Sequence, residues 1–172
     1  MRFLTLTLCA VCCAAPALAA PAESVYDFPA TWSDAHGNQV SISAWSGERV
    51  YLSMFYSRCE RVCLRTFNVL ESIERKLRQD SQNAEFVLVT LDPGNDGVKR
   101  LKQLHDSRGF GENWHLLVGS QEQTDAFADS LGLTTWPVDD EQMIHDFRIF
   151  VLSPEGHIER TIEWGDKVAD AY

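Results

Sequence analysis

Apolar residues along this chain recur with two different periods, and the positions where one period gives way to the other mark its elements. The segment QVSISAW (39–45) alternates apolar and polar residues after the turn-forming DAHGN, and RVYLSMF (49–55) is a near-continuous apolar run after SGE. Both predict strands, the second more deeply buried. From Val62 the spacing changes: Val62, Phe67, Leu70, Ile73 and Leu77 fall at helical intervals, with Glu71, Arg75 and Arg78 on the other side. This predicts an amphipathic helix of about four turns. EFVLVTL (85–91) then predicts a buried strand ended by DPGNDG, VKRLKQLHDSRG (98–109) a helix, WHLLVG (114–119) a strand and QEQTDAFADSLGL (121–133) a helix. A polar loop carrying Trp136, Pro137 and DDEQ follows. The chain closes with HDFRIFVL (145–152) as one strand, the turn SPEGH and a last strand, IERTIEW (158–164).

The order strand-strand-helix-strand-helix-strand-helix-hairpin contains no repeat and no low-complexity segment. Strands separated by crossover helices predict a largely parallel central sheet, which the closing hairpin makes mixed. A thioredoxin-like α/β fold, with a mixed central sheet flanked by helices, satisfies this order. In open α/β sheets, sites form beyond the carboxyl ends of strands, where the next helix begins. FYSRCERVC, after the strand ending near Phe55, lies at such a place, and so does the DPGND loop.

The amino terminus changes the picture of both compartment and cysteine content. Arg2, the apolar run from Phe3 to about Ala15 and the small residues of Ala17-Leu18-Ala19 predict a secretory signal peptide over residues 1–19, cleaved near Ala19, rather than a membrane span. Cys12 and Cys13 lack the preceding pattern of a lipoprotein site, so lipid anchoring is not expected. A short tether (20–24) then leads into one domain over 25–172, exported to the periplasm. Cleavage removes Cys9, Cys12 and Cys13, which leaves Cys59 and Cys63 as the only cysteines. Taking 19 residues from 172 leaves 153, enough for a real hydrophobic core, so a lone disulfide closing a very short loop is not needed as a staple. The formal charge moves from −10 to −11 with the loss of Arg2. That balance argues against nucleic acid and anionic lipid as partners.

Cys59 and Cys63 are four positions apart, a spacing that on a helix puts both side chains on one face about 5–6 Å apart at Cβ. A disulfide, a redox couple and a shared metal ion all lie within small adjustments of that distance. A helix N-terminus favours thiolate, at Cys59 above all, and Arg58 and Arg61 act in the same direction. Three intervening residues instead of two weaken the simple oxidoreductase reading, and the chain cannot offer the four familiar ligands of a structural zinc site. Copper(I) is satisfied by two thiolates and one imidazole. Of the five histidines, His36 and His157 sit in glycine-containing turns, His105 near a helix end, His115 at the start of a strand and His145 where loops meet the sheet end.

At this point the residues resemble the Sco/SenC family of copper-binding, thioredoxin-fold proteins that help assemble respiratory oxidases. The likeness rests on W-x-D-x-x-G-x-x-V, FYSRCERVC, VTLDPGND followed by LKQL, WHLLVGS, and a histidine ahead of FVLSPEGHI, and it covers nearly all of the chain after the leader. It implies that Cys59, Cys63 and His145 hold one copper ion, as Cu(I) or Cu(II), and that the same cysteines form a redox dithiol closed as a Cys59–Cys63 disulfide when oxidised. It further implies a metallochaperone, expected as a monomer. Its client would be a cuproprotein such as a respiratory oxidase subunit, with a thiol-disulfide reductase as a second partner. A thiol-disulfide reductase that keeps a client's copper-ligand cysteines reduced is the alternative function.

The family pattern has proline after each cysteine and aspartate between them, where this chain has Glu60, Leu64 and Arg61; its aspartate before the histidine is Ile144 here, with Asp146 following. Thiol-disulfide enzymes of the same fold place a cis-proline just before the strand facing their cysteines. The residue nearest that place here is His145, with Pro137 eight positions earlier, which favours copper. Asp92 and Asp96 are expected to form the DPGND turn and cap the next helix rather than bind metal. Trp114, Trp136 and Trp164 are expected in core or loop packing rather than around a docking surface.

Overall fold

The computed structural model describes residues 24–59, 62–137 and 143–166. The proposed leader and most of the tether, together with Glu60, Arg61 and the DDEQ loop, lie outside the described residues. Strands β1 (Trp32–Asp34), β2 (Gln39–Val40), β3 (Val50–Phe55), β4 (Glu85–Thr90), β5 (Trp114–Val118), β8 (Arg148–Leu152) and β9 (Ile158–Glu163) form one sheet in the order β2-β1-β5-β4-β3-β8-β9. Its centre, β5-β4-β3, is parallel, and the strands on either side join it antiparallel. Helices α1 (Val62–Gln79), α2 (Val98–Arg108) and α3 (Gln121–Ser130) supply the crossovers. This is the mixed α/β, thioredoxin-like arrangement expected from the element order.

Every residue of β3 is buried, because helices cover both of its faces. On one side Tyr51 and Phe55 pack with Phe67, Leu70, Ile73 and Leu77 of α1 and Leu101 of α2; on the other Val50, Leu52 and Met54 pack with Phe127 of α3 and with Trp32. Alternation along one strand thus feeds two hydrophobic layers. The α1 face follows the predicted spacing, and the helix runs 18 residues, longer than the four turns expected.

Three local expectations are corrected. The alternating segment 39–45 pairs only through Gln39–Val40 and then turns into a 3-10 helix, Ile42–Trp45. Its apolar residues Ile42 and Trp45 are three apart, which suits three residues per turn as well as a strand's period. β1 was not expected; it pairs with β2 across the DAHGN turn, where Oδ1 of Asp34 accepts the N–H of His36 and of Asn38, both at 2.8 Å. HDFRIFVL is not one strand: β7 (Met143–His145) pairs with β6 (Thr135–Pro137) in a separate two-stranded sheet, and β8 begins only at Arg148. The break falls at Asp146 and Phe147, where the Asp146 N–H reaches the carbonyl of Thr134 and the Phe147 ring is buried in the α1 layer.

Candidate metal centre

β3 delivers the chain to the sheet's carboxyl end, and the short turn from Tyr56 to Cys59 leads into α1. Cys59 N–H donates to the Tyr56 carbonyl at 3.1 Å, which closes that turn. Cys59 precedes the helix instead of lying on it, and its Sγ accepts the N–H of Cys63 at 3.4 Å. A sulfur thus stands where a capping oxygen normally satisfies a helix N-terminus. Cys63, in the first turn, is buried, and its Sγ accepts the Tyr56 N–H at 3.4 Å.

The break between β7 and β8 brings in the third group. His145 is 5% exposed, and its Nε2 lies 3.6 Å from Cys63 Sγ. Nδ1 lies 2.9 Å from the Asp146 carbonyl oxygen, an acceptor only, so Nδ1 carries a proton. In the neutral ring Nε2 then keeps its lone pair, facing the sulfurs. The Tyr56 ring meets the imidazole edge to face at 5.7 Å and fixes its plane. The two sulfurs and one imidazole nitrogen all lie within 4.8 Å of one another, the sole such cluster of three or more potential ligand residues among the described residues. The donor set, soft sulfur with borderline nitrogen, fits a soft monovalent or late divalent cation.

Electrostatics keep the proton on Cys63 when no cation is present. Its thiol is pushed far above the ordinary value, first by the hydrogen bond with Cys59, then by burial and by the charge a Cys59 thiolate would carry. The helix N-terminus does not outweigh these at Cys63. A cation entering the site therefore has to displace that proton.

The other histidines stay away from the sulfurs. His36 and His105 meet ring to ring at 5.7 Å, Nε2 of His115 lies 2.7 Å from Glu85, and His157 stays in the turn before β9. Asp92 holds the DPGND turn as expected, with Asn95 Nδ2 at 2.9 Å and Arg58 at 2.9 Å. Asp96 does not cap α2; the cap is Gly97, and the Asp96 carboxylate instead accepts the Ser57 N–H and the Thr90 hydroxyl, each at 2.7 Å. Trp114 is in the core as expected, stacked on Phe86 and Phe110. Trp164, in the turn after β9, is 64% exposed but packs edge to face on Phe147 at 5.9 Å and over the Arg65 guanidinium at 4.6 Å; Leu64, next to Cys63 in sequence, is also exposed. The side chain of Trp136 lies outside the described residues.

The family model for SCO1/SenC matches residues 19–172. A curated relative, the SCO1 protein homolog of Bacillus subtilis, is 25% identical over 134 residues, covering 76% of this chain and 69% of its own. Among solved structures, Arabidopsis thaliana ScoI with copper bound superposes with a TM-score of 0.74 at 18% identity, over 81% of this chain and 88% of that one. Yeast Sco1 with copper bound gives 0.70 at 16% identity, over 80% and 79%. BsSco, described as a member of the Sco family of cytochrome c oxidase assembly proteins with a disulfide switch, gives 0.73 at 23% identity, over 83% and 86%. At these identities the structural likenesses establish the fold, and the family match extends over the whole of it. From its fold, its cluster of two sulfurs and an imidazole, and that match, the chain belongs to the SCO1/SenC family.

Proposed function

We propose that this chain is an exported copper carrier in which Cys59, Cys63 and His145 hold one copper ion and pass it to a cuproprotein such as a respiratory oxidase subunit. The observation that carries this reading is the convergence of the three ligand atoms within 4.8 Å, with His145 Nδ1 already committed to a backbone carbonyl. The copper-bound relatives from Arabidopsis and yeast support the choice of metal, and the description of BsSco supports the class of client. The leader over residues 1–19 supports export to the periplasm, and a Bacillus anthracis relative of the same fold is described as a lipoprotein, itself an exported class.

Copper here is cargo. Three donors leave room for a fourth, so a client ligand can add before a carrier ligand leaves, and the ion is never released to solvent. Loading expels thiol protons, because the thiolate is the ligand. His145, with Nδ1 turned to the Asp146 carbonyl, presents Nε2 to the ion. Titrating the reduced protein with copper(I) against a chelator of known affinity, while following the thiolate-to-copper absorption band, tests the reading. One ion per chain is expected, with affinity falling about tenfold or more in His145→Ala. No band, or a variant that binds as tightly as the parent, refutes the site.

A second reading, a thiol-disulfide reductase, is favoured by one asymmetry: Cys59 is half-buried and Cys63 buried, as suits an attacking and a resolving thiol. Cys59 thiolate would attack a client disulfide, releasing one client thiolate and forming a mixed disulfide. Cys63 would then attack the Cys59 sulfur, closing the Cys59–Cys63 bond and releasing the second client sulfur. Two electrons pass to the client, and the two protons given up by the carrier thiols balance those taken up by the client's. His145→Ala separates the readings: loss of copper binding with exchange intact assigns His145 to the carrier role alone.

A further inference from the structure

The DPGND loop and the start of α2 grip the cysteine turn at three points. Asp96 Oδ2 accepts the Ser57 N–H at 2.7 Å, Arg100 Nε donates to Ser57 Oγ at 3.0 Å, and Arg58 donates to Asp92 at 2.9 Å. The two arginine contacts are exposed, and such contacts contribute little. The Asp96 contact is different. Its carboxylate is fully buried, and while Oδ2 holds both the Ser57 N–H and the Thr90 hydroxyl, Oδ1 has no hydrogen-bond partner. Burying a carboxylate with one oxygen unmatched is costly. Locally the carboxylate holds only the Thr90 hydroxyl, since the turn closes through the Asp92 carbonyl and the helix is capped by Gly97. Its other bond holds the peptide two residues before Cys59.

We propose that Asp96 is a positioning residue for the metal centre: its carboxylate fixes the cysteine turn through Ser57 N–H, and its charge weights the site toward copper(II) over copper(I). The second part rests on the copper-carrier reading; the first does not. Two thiolates and a neutral imidazole around copper(I) carry a net charge of −1, and around copper(II) zero, the two states differing by one electron and no proton. A buried negative charge nearby opposes the more negative complex. The fully buried Asp96 carboxylate stands one hydrogen bond from the turn that leads into Cys59, where little water screens its charge.

Two variants separate position from charge. Asp96→Ala removes the acceptor, and hydrogen exchange at the Ser57 amide of the copper-free protein should quicken about tenfold or more. Asp96→Asn keeps an acceptor oxygen but no charge; the Ser57 amide should stay protected, while the ratio of copper(I) to copper(II) affinity, measured by chelator competition, rises about tenfold. If Asp96→Ala does not fold, Asp96→Leu, which removes the acceptor at closer to the same volume, carries the amide measurement, and the asparagine variant carries the affinity ratio. A Ser57 amide as protected in Asp96→Ala as in the parent overturns the positioning role, and an unchanged affinity ratio in Asp96→Asn overturns the charge role. Failure of the parent itself to bind copper refutes the carrier reading instead, and leaves the amide measurement standing.

Discussion

Replacing Cys63 by serine should flatten the loss of stability that the reduced, metal-free protein suffers in alkali. The folded chain pushes the Cys63 thiol far above its ordinary value of 9.0, chiefly through the hydrogen bond with Cys59 and through burial. An unfolded chain has no such environment, and its thiols titrate near about 8.5–9. Below that range both states hold the proton, so the thiol's full stabilising contribution is present and does not vary with pH. Above it the unfolded state releases the proton while the folded state keeps it, so unfolding gains about 1.4 kcal/mol per pH unit from this one group. Between pH about 9 and 10.5 that amounts to roughly 2 kcal/mol, a large share of the 5–15 kcal/mol typical of a domain. Serine at position 63 still offers Tyr56 N–H an acceptor and does not titrate. Tyr26, whose hydroxyl is also pushed up by burial and by Glu155 and Glu48, is common to both proteins and largely cancels in the difference. Urea midpoints of parent and variant, measured under reductant at about pH 7.5, 9 and 10.5, give the comparison. Parallel pH profiles would refute the argument, since they would mean that Cys63 titrates alike in the folded and unfolded chains.

Leu70, fully buried where α1 meets the sheet, should cost about 2–5 kcal/mol on truncation to alanine, read as a lower urea midpoint at unchanged copper stoichiometry. A loss under about 1 kcal/mol would contradict the packing of that layer. Arg58→Ala removes an ion pair whose cation is 36% exposed, and the same measurement should change by less than about 1 kcal/mol. A larger drop would show that Arg58 shapes the cysteine turn and does more than balance charge.

Most of the fold was legible because its signals are local and redundant. The α1 spacing from Val62 to Leu77 and the apolar runs of β3 and β4 each bury one continuous face, and tertiary contacts had only to agree with them. Legibility failed where a segment's role depends on a distant partner. Residues 39–45 carry a period that a strand and a 3-10 turn share, and the burial of Ile42 against the α3 layer decides between them. HDFRIFVL reads as one strand because Phe147 keeps the apolar run going, yet that ring turns into the α1 layer and ends the pairing. At the site, the cysteine pair and His145 could be named from the residues and the family resemblance. The use of Asp96 could not, because in sequence it looks like any turn aspartate; its bond to Ser57 spans 39 positions.

The three ligand atoms do not belong to one framework. Both sulfurs are tied to the seven-stranded sheet and its longest helix, whereas the imidazole rides on a ribbon of two three-residue strands, held by the pairings Thr135–His145, Trp136–Ile144 and Pro137–Met143. Withdrawing the Cys63 sulfur means unwinding the start of α1, but withdrawing the imidazole means loosening the ribbon pairings and the ring's contact with Tyr56 beside an intact core. The centre therefore has a stiff side and a compliant side. An ion bridging them ties the ribbon to the body, and a competing ligand meets least resistance at His145.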